Sequence, residues 1–492
     1  MKTLIDHIVD DAIALALVEE RDRIYIHNQM MAYIPEEMFF KEADDIGKAD
    51  SNTLIEYIAE QLAHSGVIED QVYAKDLAAA NMMNILMPKP SDIEERFYAN
   101  RVSGIRKATD DFYNISVFSN YIQKNRISQN ISFSSESKYG ELELTINLSK
   151  PEKSTEEIRA AQSAATDSDY PQCLLCKENE GYIGHINHPP RANHRIIRLE
   201  LGGGEWYFQF SPYSYYSEHS IVLSKDHVPM QISTQTFHNL IDFVDQFPHY
   251  FIGSNADLPI VGGSMLAHEH YQAGRHVFPV ERAESFHVTV KGDVKLELLK
   301  WPLSTIRVTG EDREAVIRQA TVIMDAWNTY DNPELDILSH TDAQHSTVTP
   351  IARKTEAGYV LYLILRNNRT TEERPNGIFH VDPEDFHVKR ENIGLIEAMG
   401  LAVLPARLKQ DAEHLQGFFT TGEMGESAHA GWIESWRSKY GDDHIGEHFE
   451  AVFHKELGLK FESILEACSV FKNEADFVQF FEGIDHDQEG IS

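Results

Sequence analysis

The 492-residue chain predicts an α+β protein: mostly antiparallel sheets with flanking helices, and helical arms at the N- and C-terminal ends. Three observations lead there. Apolar residues recur at three- and four-residue spacing in the first part of the chain and again near its end. Between these arms, short alternating runs are separated by Gly-, Pro- and Asn-rich turns. Successive strands are followed by one helix and a further strand, an order that suits antiparallel pairing better than repeated crossovers.

In the N-terminal arm the spacing predicts helices over Asp6–Glu20 and Thr53–Gly66. Ser91-Asp92-Ile93-Glu94, after Pro88-Lys89-Pro90, reads as a capping box that opens another helix. Alternation over Gly140–Asn147 predicts a strand, and polar Lys150–Asp169 a linker or short solvated helix. The core is expected to begin near Tyr170. Strands are predicted at Ile196–Leu201 and Trp206–Phe210, joined by Gly202-Gly203-Gly204 as a hairpin, and at Ser220–Leu223. A helix over Ser233–Gln246 follows. Further strands are expected at Phe286–Val290, His345–Pro350 and Tyr359–Leu365, with a helix at Glu311–Trp327. Asp382-Pro383-Glu384-Asp385 carries an N-cap, Pro at N1 and first-turn acids, so a helix is predicted from there through Ile393, Ile396 and Met399 towards Pro405. Glu447–Glu482 is again amphipathic. The implied divisions are a mainly helical lobe at 1–169, a catalytic half at 170–290, a second α+β half at 291–410 and a helical arm at 411–492. The strand-and-helix units at about 196–277 and 345–402 can be read as halves of one duplicated design.

The chemistry concentrates in Ile260–Gly274, where Gly262-Gly263-Ser264 precedes His268-Glu269-His270-Tyr271-Gln272. If the run from Ala267 to Val277 is extended, His268, His270 and Gln272 share one face. A histidine pair at this spacing supports a nucleophile attacking phosphorus, a general base or a metal site. Glycines allow close backbone approach to a phosphate, and the Gln272 amide can donate to a phosphoryl oxygen. A bare His-x-His is more often two backbone-bonded histidines; the Gly-Gly-Ser turn and the glutamine tip the reading to function. Cys173-x-x-Cys176 suggests metal or redox chemistry in an intracellular chain. Asn187–Arg195 is rich in anion-binding groups. Arg366-Asn367-Asn368-Arg369-Thr370 can hold a phosphate or sugar, or serve as a solvated turn.

Lys plus Arg number 44 against 78 Asp plus Glu, a formal charge of −34. Such an excess argues against a general nucleic-acid binder and requires local basic groups to meet an anionic substrate. No apolar run reaches the length of a membrane span, and the N-terminus lacks the apolar core of a secretory signal, so a cytoplasmic protein without membrane contact is expected.

The segment Gly262–Gly274 resembles the active-site signature of the second class of galactose-1-phosphate uridylyltransferases, also called UDP-glucose–hexose-1-phosphate uridylyltransferases. Cys173–Gly184, Asn193-His194-Arg195 through His219–Val222, and Leu365–Arg369 through Leu404–Arg407 are similar to the same class. The resemblance implies a histidine-triad-like fold and transfer of uridine monophosphate from UDP-glucose to galactose-1-phosphate, giving UDP-galactose and glucose-1-phosphate. It implies His270 as the nucleophile, with His268 beside it and Gln272 on the phosphoryl group. Asn255, Ser264, Arg195, Arg366 and Arg369 are the expected substrate contacts. Glu269 stands where the first class has proline, which favours the second class. In the first class a Cys-x-x-Cys pair and two histidines hold zinc; the matching residues here are Cys173, Cys176, His227 and His268. No organic cofactor is implied, and a homodimer fits the family. The rival readings are a nucleotidyl hydrolase or phosphorylase of the same fold, and a non-catalytic nucleotide-binding module.

Overall fold

The structure is a computed structural model that describes residues 1–39, 49–149, 170–421 and 430–489. The predicted linker at Lys150–Asp169 lies outside the described residues.

Helices α1 (Lys2–Ala14), α2 (Arg23–Met31), α3 (Ser51–His64), α4 (Val72–Asn84), α5 (Pro90–Ser103), α6 (Ile105–Phe118) and α7 (Lys124–Ile127) come first. Helix α1 buries Leu4, Ile5, Ile8, Val9 and Ala12, one stripe of an amphipathic cylinder. It stops earlier than the predicted Glu20. Ala16 adopts a left-handed φ of 52°, and Arg96 Nη1 takes the Leu15 and Ala16 carbonyls at 2.9 and 3.0 Å. The turn thereby satisfies carbonyls that a continuing helix would have used. In α3 the Asp50 carboxylate caps the Thr53 N–H at 2.8 Å. The capping box expected at Ser91 is absent. Pro90 occupies the first turn, Lys89 precedes it without a side-chain cap, and Glu94 instead binds Arg198 at 2.6 Å. Proline's fixed φ starts the helix one residue before the serine.

Strands β1 (Ile131–Ser137) and β2 (Gly140–Asn147) form a hairpin. They are followed by β3 (Ile197–Leu201), β4 (Gly204–Phe210), β5 (Ser220–Ser224), helix α8 (Thr234–Gln246), β6 (Phe251–Gly253) and β7 (His270–Gly274). Next are β8 (Ser285–Lys291), β9 (Val294–Leu299), β10 (Thr305–Gly310), helix α9 (Arg313–Thr329), β11 (Ser346–Thr355) and β12 (Gly358–Asn367). The short helix α10 (Leu395–Ala398) leads to β13 (Leu401–Pro405), and α11 (Arg407–Thr421), α12 (Ala430–Tyr440), α13 (Asp442–Glu447), α14 (Phe449–Ala467) and α15 (Glu474–Glu489) complete the chain.

The helix predicted from Asp382 towards Pro405 is therefore a correction. In place of one helix, a single 3-10 turn, Pro383–Asp385, forms at its start and the four-residue helix α10 near its end. The Asp385 carboxylate is buried and held by Lys460 at 2.5 Å, so an acid that looks like first-turn decoration is an ion-pair anchor. Gly400, at φ 101°, then turns the chain into β13, which pairs in parallel with β2.

Two compact units result. The first comprises Met1–Gln129, Ser149–Val228 and His268–Gly274. It holds α1–α7 and the antiparallel strands β3, β4, β5 and β7 in that order. One face of these strands carries Phe208 and Phe210, which pack with Phe97 of α5 and Phe112 of α6 at centroid distances of 5.3–6.4 Å. Burial of four such rings stabilises the unit by roughly 2–3 kcal/mol each. The opposite face carries His270 and Gln272. Leu223 lies across from His270 and Ile221 across from Gln272, and directly opposed residues share a face. The second unit comprises Asn130–Leu148, Pro229–Ala267 and Arg275–Ser492. Its strands run β6-β11-β12-β10-β9-β8, with β1-β2-β13 as a separate sheet. Strand β12 is buried along nearly its whole length, as its apolar composition predicts. Among the described residues no helix is long and apolar enough to cross a membrane.

Candidate active site

The cysteine pair sits in a tight loop. Cys176 N–H bonds the Cys173 carbonyl at 3.3 Å, and Leu175 N–H points to Cys173 Sγ at 3.4 Å. The Asn179 amide donates to both cysteine carbonyls at 2.8 Å, and Asn179 Oδ1 is itself held by His188 Nε2 at 2.6 Å. On the other side, Ser224 N–H bonds the Glu269 carbonyl at 3.0 Å and Glu269 N–H the Val228 carbonyl at 2.7 Å. These two backbone bonds set His227 beside His268, with ring centroids 4.9 Å apart.

All four candidate ligands converge. Their ligand atoms lie within 4.8 Å of one another. The sulfurs are 3.4 Å apart, Cys173 Sγ is 3.4 Å and Cys176 Sγ 3.7 Å from His268 Nδ1, and Cys176 Sγ is 3.2 Å from His227 Nδ1. A tetrahedral zinc with ordinary Zn–S and Zn–N lengths needs edges of about 3.3–3.8 Å. Those four separations, 3.2–3.7 Å, meet that requirement, while the four ligand atoms together span up to 4.8 Å. His268 Nε2 donates to the Ser224 carbonyl at 3.0 Å, which leaves Nδ1 as the lone-pair nitrogen facing the sulfurs. Burial, and the neighbouring Cys173, push the Cys176 thiol up to about 12. A thiolate pair at this position therefore needs a cation beside it.

His270 starts β7, three residues later than the predicted extended run, and is 6% exposed. Its Nδ1 lies 2.8 Å from the His268 carbonyl oxygen. A carbonyl only accepts, so Nδ1 carries the proton and Nε2 holds the lone pair. No described residue bonds Nε2. Burial lowers the imidazole to about 4, and it is neutral near pH 7. Such a ring is a ready nucleophile: free lone pair on one nitrogen, fixed proton on the other. Gln272, two residues on and on the same face, receives His219 Nε2 on Oε1 at 3.1 Å. On the reverse face Tyr271 stacks on Trp206 at 4.8 Å, and its hydroxyl donates to Glu269 at 3.1 Å. The strand is thus clamped from behind while His270 and Gln272 face the other way.

Comparison with known proteins decides the family. The model of the galactose-1-phosphate uridyl transferase N-terminal domain matches residues 16–229, and that of the C-terminal domain residues 242–418. The galactose-1-phosphate uridylyltransferase of Clostridium perfringens (strain 13 / Type A) is 44% identical over 479 residues, 96% of either chain. The galactose-1-phosphate uridylyltransferase 1 of Streptococcus pneumoniae serotype 4 is also 44% identical, again over 96% of each. The chain belongs to the galactose-1-phosphate uridylyltransferase family. The crystal structure of yeast Ap4A phosphorylase Apa2 is similar at a TM-score of 0.35 and 8% identity, covering 65% of this chain and 92% of that one.

The other residues expected to meet a uridylyltransferase substrate are spread over both units. Arg195, in the first, is buried and makes four hydrogen bonds. Nε binds the Pro88 carbonyl at 2.9 Å, Nη1 the Ala192 and His194 carbonyls at 3.0 and 2.8 Å, and Nη2 the Asn84 side chain at 3.0 Å. In the second unit, Arg366 is 1% exposed and its Nη2 donates to the Ile393 carbonyl at 2.8 Å. Arg369 Nη1 donates to the Asp336 carbonyl at 2.6 Å. Asn255 is buried, its Oδ1 accepting the Leu395 N–H at 2.8 Å, while Ser264 is exposed. The two glycines have a packing reason as well. A Cβ on Gly262 would lie 2.4 Å from the Ala256 carbonyl, and one on Gly263 would lie 2.8 Å from the Asn255 amide. Sequence reasoning passed over Asn179, His188 and His219. The only signal for them was a local excess of imidazole and amide groups around the Cys-x-x-Cys loop and the aromatic turn.

Proposed function

We propose that the chain transfers a uridylyl group from UDP-glucose to galactose-1-phosphate by double displacement through a uridylyl-histidine on His270 Nε2. Its family makes it a nucleotidyltransferase of galactose metabolism. The observation that carries the finer reading is the single free nitrogen of His270, the other being tied to the His268 carbonyl.

In the first displacement the Nε2 lone pair forms an N–P bond with the α-phosphorus, and the bond to the bridging oxygen breaks, releasing glucose-1-phosphate. The ring becomes cationic as it bonds phosphorus, and the Nδ1–H bond to the carbonyl strengthens with that charge. In the second, a phosphate oxygen of galactose-1-phosphate attacks the same phosphorus and the N–P bond breaks, returning the lone pair to Nε2. No net proton is gained or lost. A neutral imidazole attacks well and leaves well once cationic, so one difficult exchange becomes two easier ones. Gln272 donates an amide hydrogen to the transferred phosphoryl group. Cys173, Cys176, His227 and His268 would hold zinc, which when bound fixes the loop ends from which the His268 carbonyl projects.

The test is turnover of UDP-glucose with three acceptors supplied separately. UDP-galactose formed with galactose-1-phosphate, and little loss of UDP-glucose to water or inorganic phosphate, is the expected result. Faster release of UMP in water, or of UDP with inorganic phosphate, would replace the transferase with a hydrolase or a phosphorylase.

A further inference from the structure

We propose that His219 is a positioning residue for the transfer, holding Gln272 in the one amide orientation that offers its NH2, not its oxygen, to the phosphoryl group on His270. The inference rests on the function proposed above and adds a residue that the reaction chemistry alone does not call for.

Tyr215 N–H points to His219 Nδ1 at 3.4 Å, and a backbone N–H only donates, so Nδ1 is the lone-pair nitrogen. Nε2 then carries the proton. The atom facing it across 3.1 Å has to accept, and in Gln272 that is Oε1. The relay therefore sets a choice that a glutamine alone leaves open, because an unrestrained amide turns over readily. With Oε1 engaged, the NH2 remains, a pure donor without a partner among the described residues. Gln272 and His270 sit two residues apart on one face of β7, about 7 Å along the strand. A phosphoryl group on Nε2 has oxygens within reach of that donor. The reversed amide would set oxygen against oxygen.

The surroundings of His219 suit a fixed bearing. It is 3% exposed, with Tyr215 stacked at 5.4 Å and Tyr216 tilted at 4.5 Å. Its carbonyl accepts Ser211 N–H at 2.8 Å and its N–H bonds the Tyr216 carbonyl at 3.2 Å, closing the loop between β4 and β5. Within that loop Ser214 and Glu218 hold left-handed φ values of 42° and 53° although neither is glycine. Non-glycine residues keep such angles only where packing dictates them, and they gather at functional sites. At the end of β7, a Cβ on Gly274 would lie 2.7 Å from the Tyr216 ring, so glycine there lets Tyr216 close against the strand. Burial keeps the imidazole neutral, lowered to about 3, and the relay does not switch with pH in the working range.

The experiment measures single-turnover uridylylation by UDP-glucose in the full-length wild type, His219→Leu, His219→Gln, Gln272→Ala and the His219→Leu/Gln272→Ala double variant, with UDP-glucose affinity determined separately. Loss of an oriented donor on a developing charge costs about 100-fold in rate. His219→Leu is expected to slow the covalent step by about that factor, with affinity held within about threefold. His219→Gln, which keeps a donor near Nε2, is expected to recover most of the rate. The double variant is expected to be no slower than Gln272→Ala, because both substitutions remove one effect. Multiplied losses in the double variant, or wild-type rates in His219→Leu, would overturn the proposal. If His219→Leu does not fold, the same comparison is made with His219→Phe, which keeps a ring but no donor, and its double variant with Gln272→Ala. A second readout is free of turnover: nitrogen-15 NMR of labelled histidine should give His219 as the Nε2–H tautomer, and the Nδ1–H tautomer would overturn the relay. A wild type that takes up no uridylyl group, with the Nε2–H tautomer present, would instead count against the proposed function.

Discussion

Replacing Arg195 with methionine separates two roles for a buried cation in the first unit. In the structure its guanidinium joins Asn84 and Pro88, between α4 and α5, to the carbonyls of Ala192 and His194. Burial lowers its pKa, so holding the charge there has a cost that the four bonds must offset. Methionine fills similar space but leaves four oxygens without that donor. A buried acceptor left unsatisfied costs about 1–3 kcal/mol, and the recovered desolvation of the guanidinium offsets part of the total. A net loss of about 3 kcal/mol follows, roughly a 150-fold fall in the folded-to-unfolded ratio. For a unit of this size the melting midpoint should drop by about 6–12 °C. The assay is a thermal melt paired with steady-state kinetics at a temperature where both proteins are folded. The expected result is a lower midpoint with the Michaelis constant for galactose-1-phosphate unchanged. An unchanged midpoint with that constant raised about tenfold would refute the reasoning, because it would make Arg195 a phosphate contact.

Cys176→Ser should lower the zinc content of protein purified without chelator and lower the melting midpoint, both measured on the same samples; active wild type free of metal would sink the zinc assignment. His194 gives a pH prediction. Burial, then the nearby Arg191, lower its pKa to about 3. A base depressed on folding contributes stability that is fully present above its unfolded value, near 6.5, and is lost as pH falls towards 3. His194→Gln should therefore flatten the fall of the melting midpoint between pH 7.5 and pH 5 relative to wild type, and parallel curves would contradict that.

The parts of the fold that could be read in advance are those with strong local patterns. The hairpin of β3 and β4, the helix α8 and the buried strand β12 follow from alternation, turn residues and periodicity. The Cys-x-x-Cys loop is visible as ligand chemistry, but its pairing with His268 comes from the family resemblance. His227 is legible only through the family resemblance, as a distant histidine has no local signature. The predicted helix after Asp382 failed because an acid that resembles a cap is bound to Lys460, 75 residues on, which no local rule detects. Strand β13 went unseen for a similar reason: its partner β2 lies far back in the chain. Arg195 and Arg366 are expected as phosphate contacts because charge is visible in a sequence; that both side chains are buried is visible only in the structure. His219 carries no role of its own in the sequence, and the bond to Gln272 is what distinguishes it.

Covalent transfer turns on the free nitrogen of His270. The direct measurement is an intact mass spectrum, kept out of acid, of the protein mixed with UDP-glucose alone. A gain of one uridylyl group in wild type, absent in a folded His270→Ala variant, is the predicted result. The same gain in His270→Ala would put the covalent bond on another residue. No gain in wild type that still converts galactose-1-phosphate would contradict the covalent route and favour direct displacement.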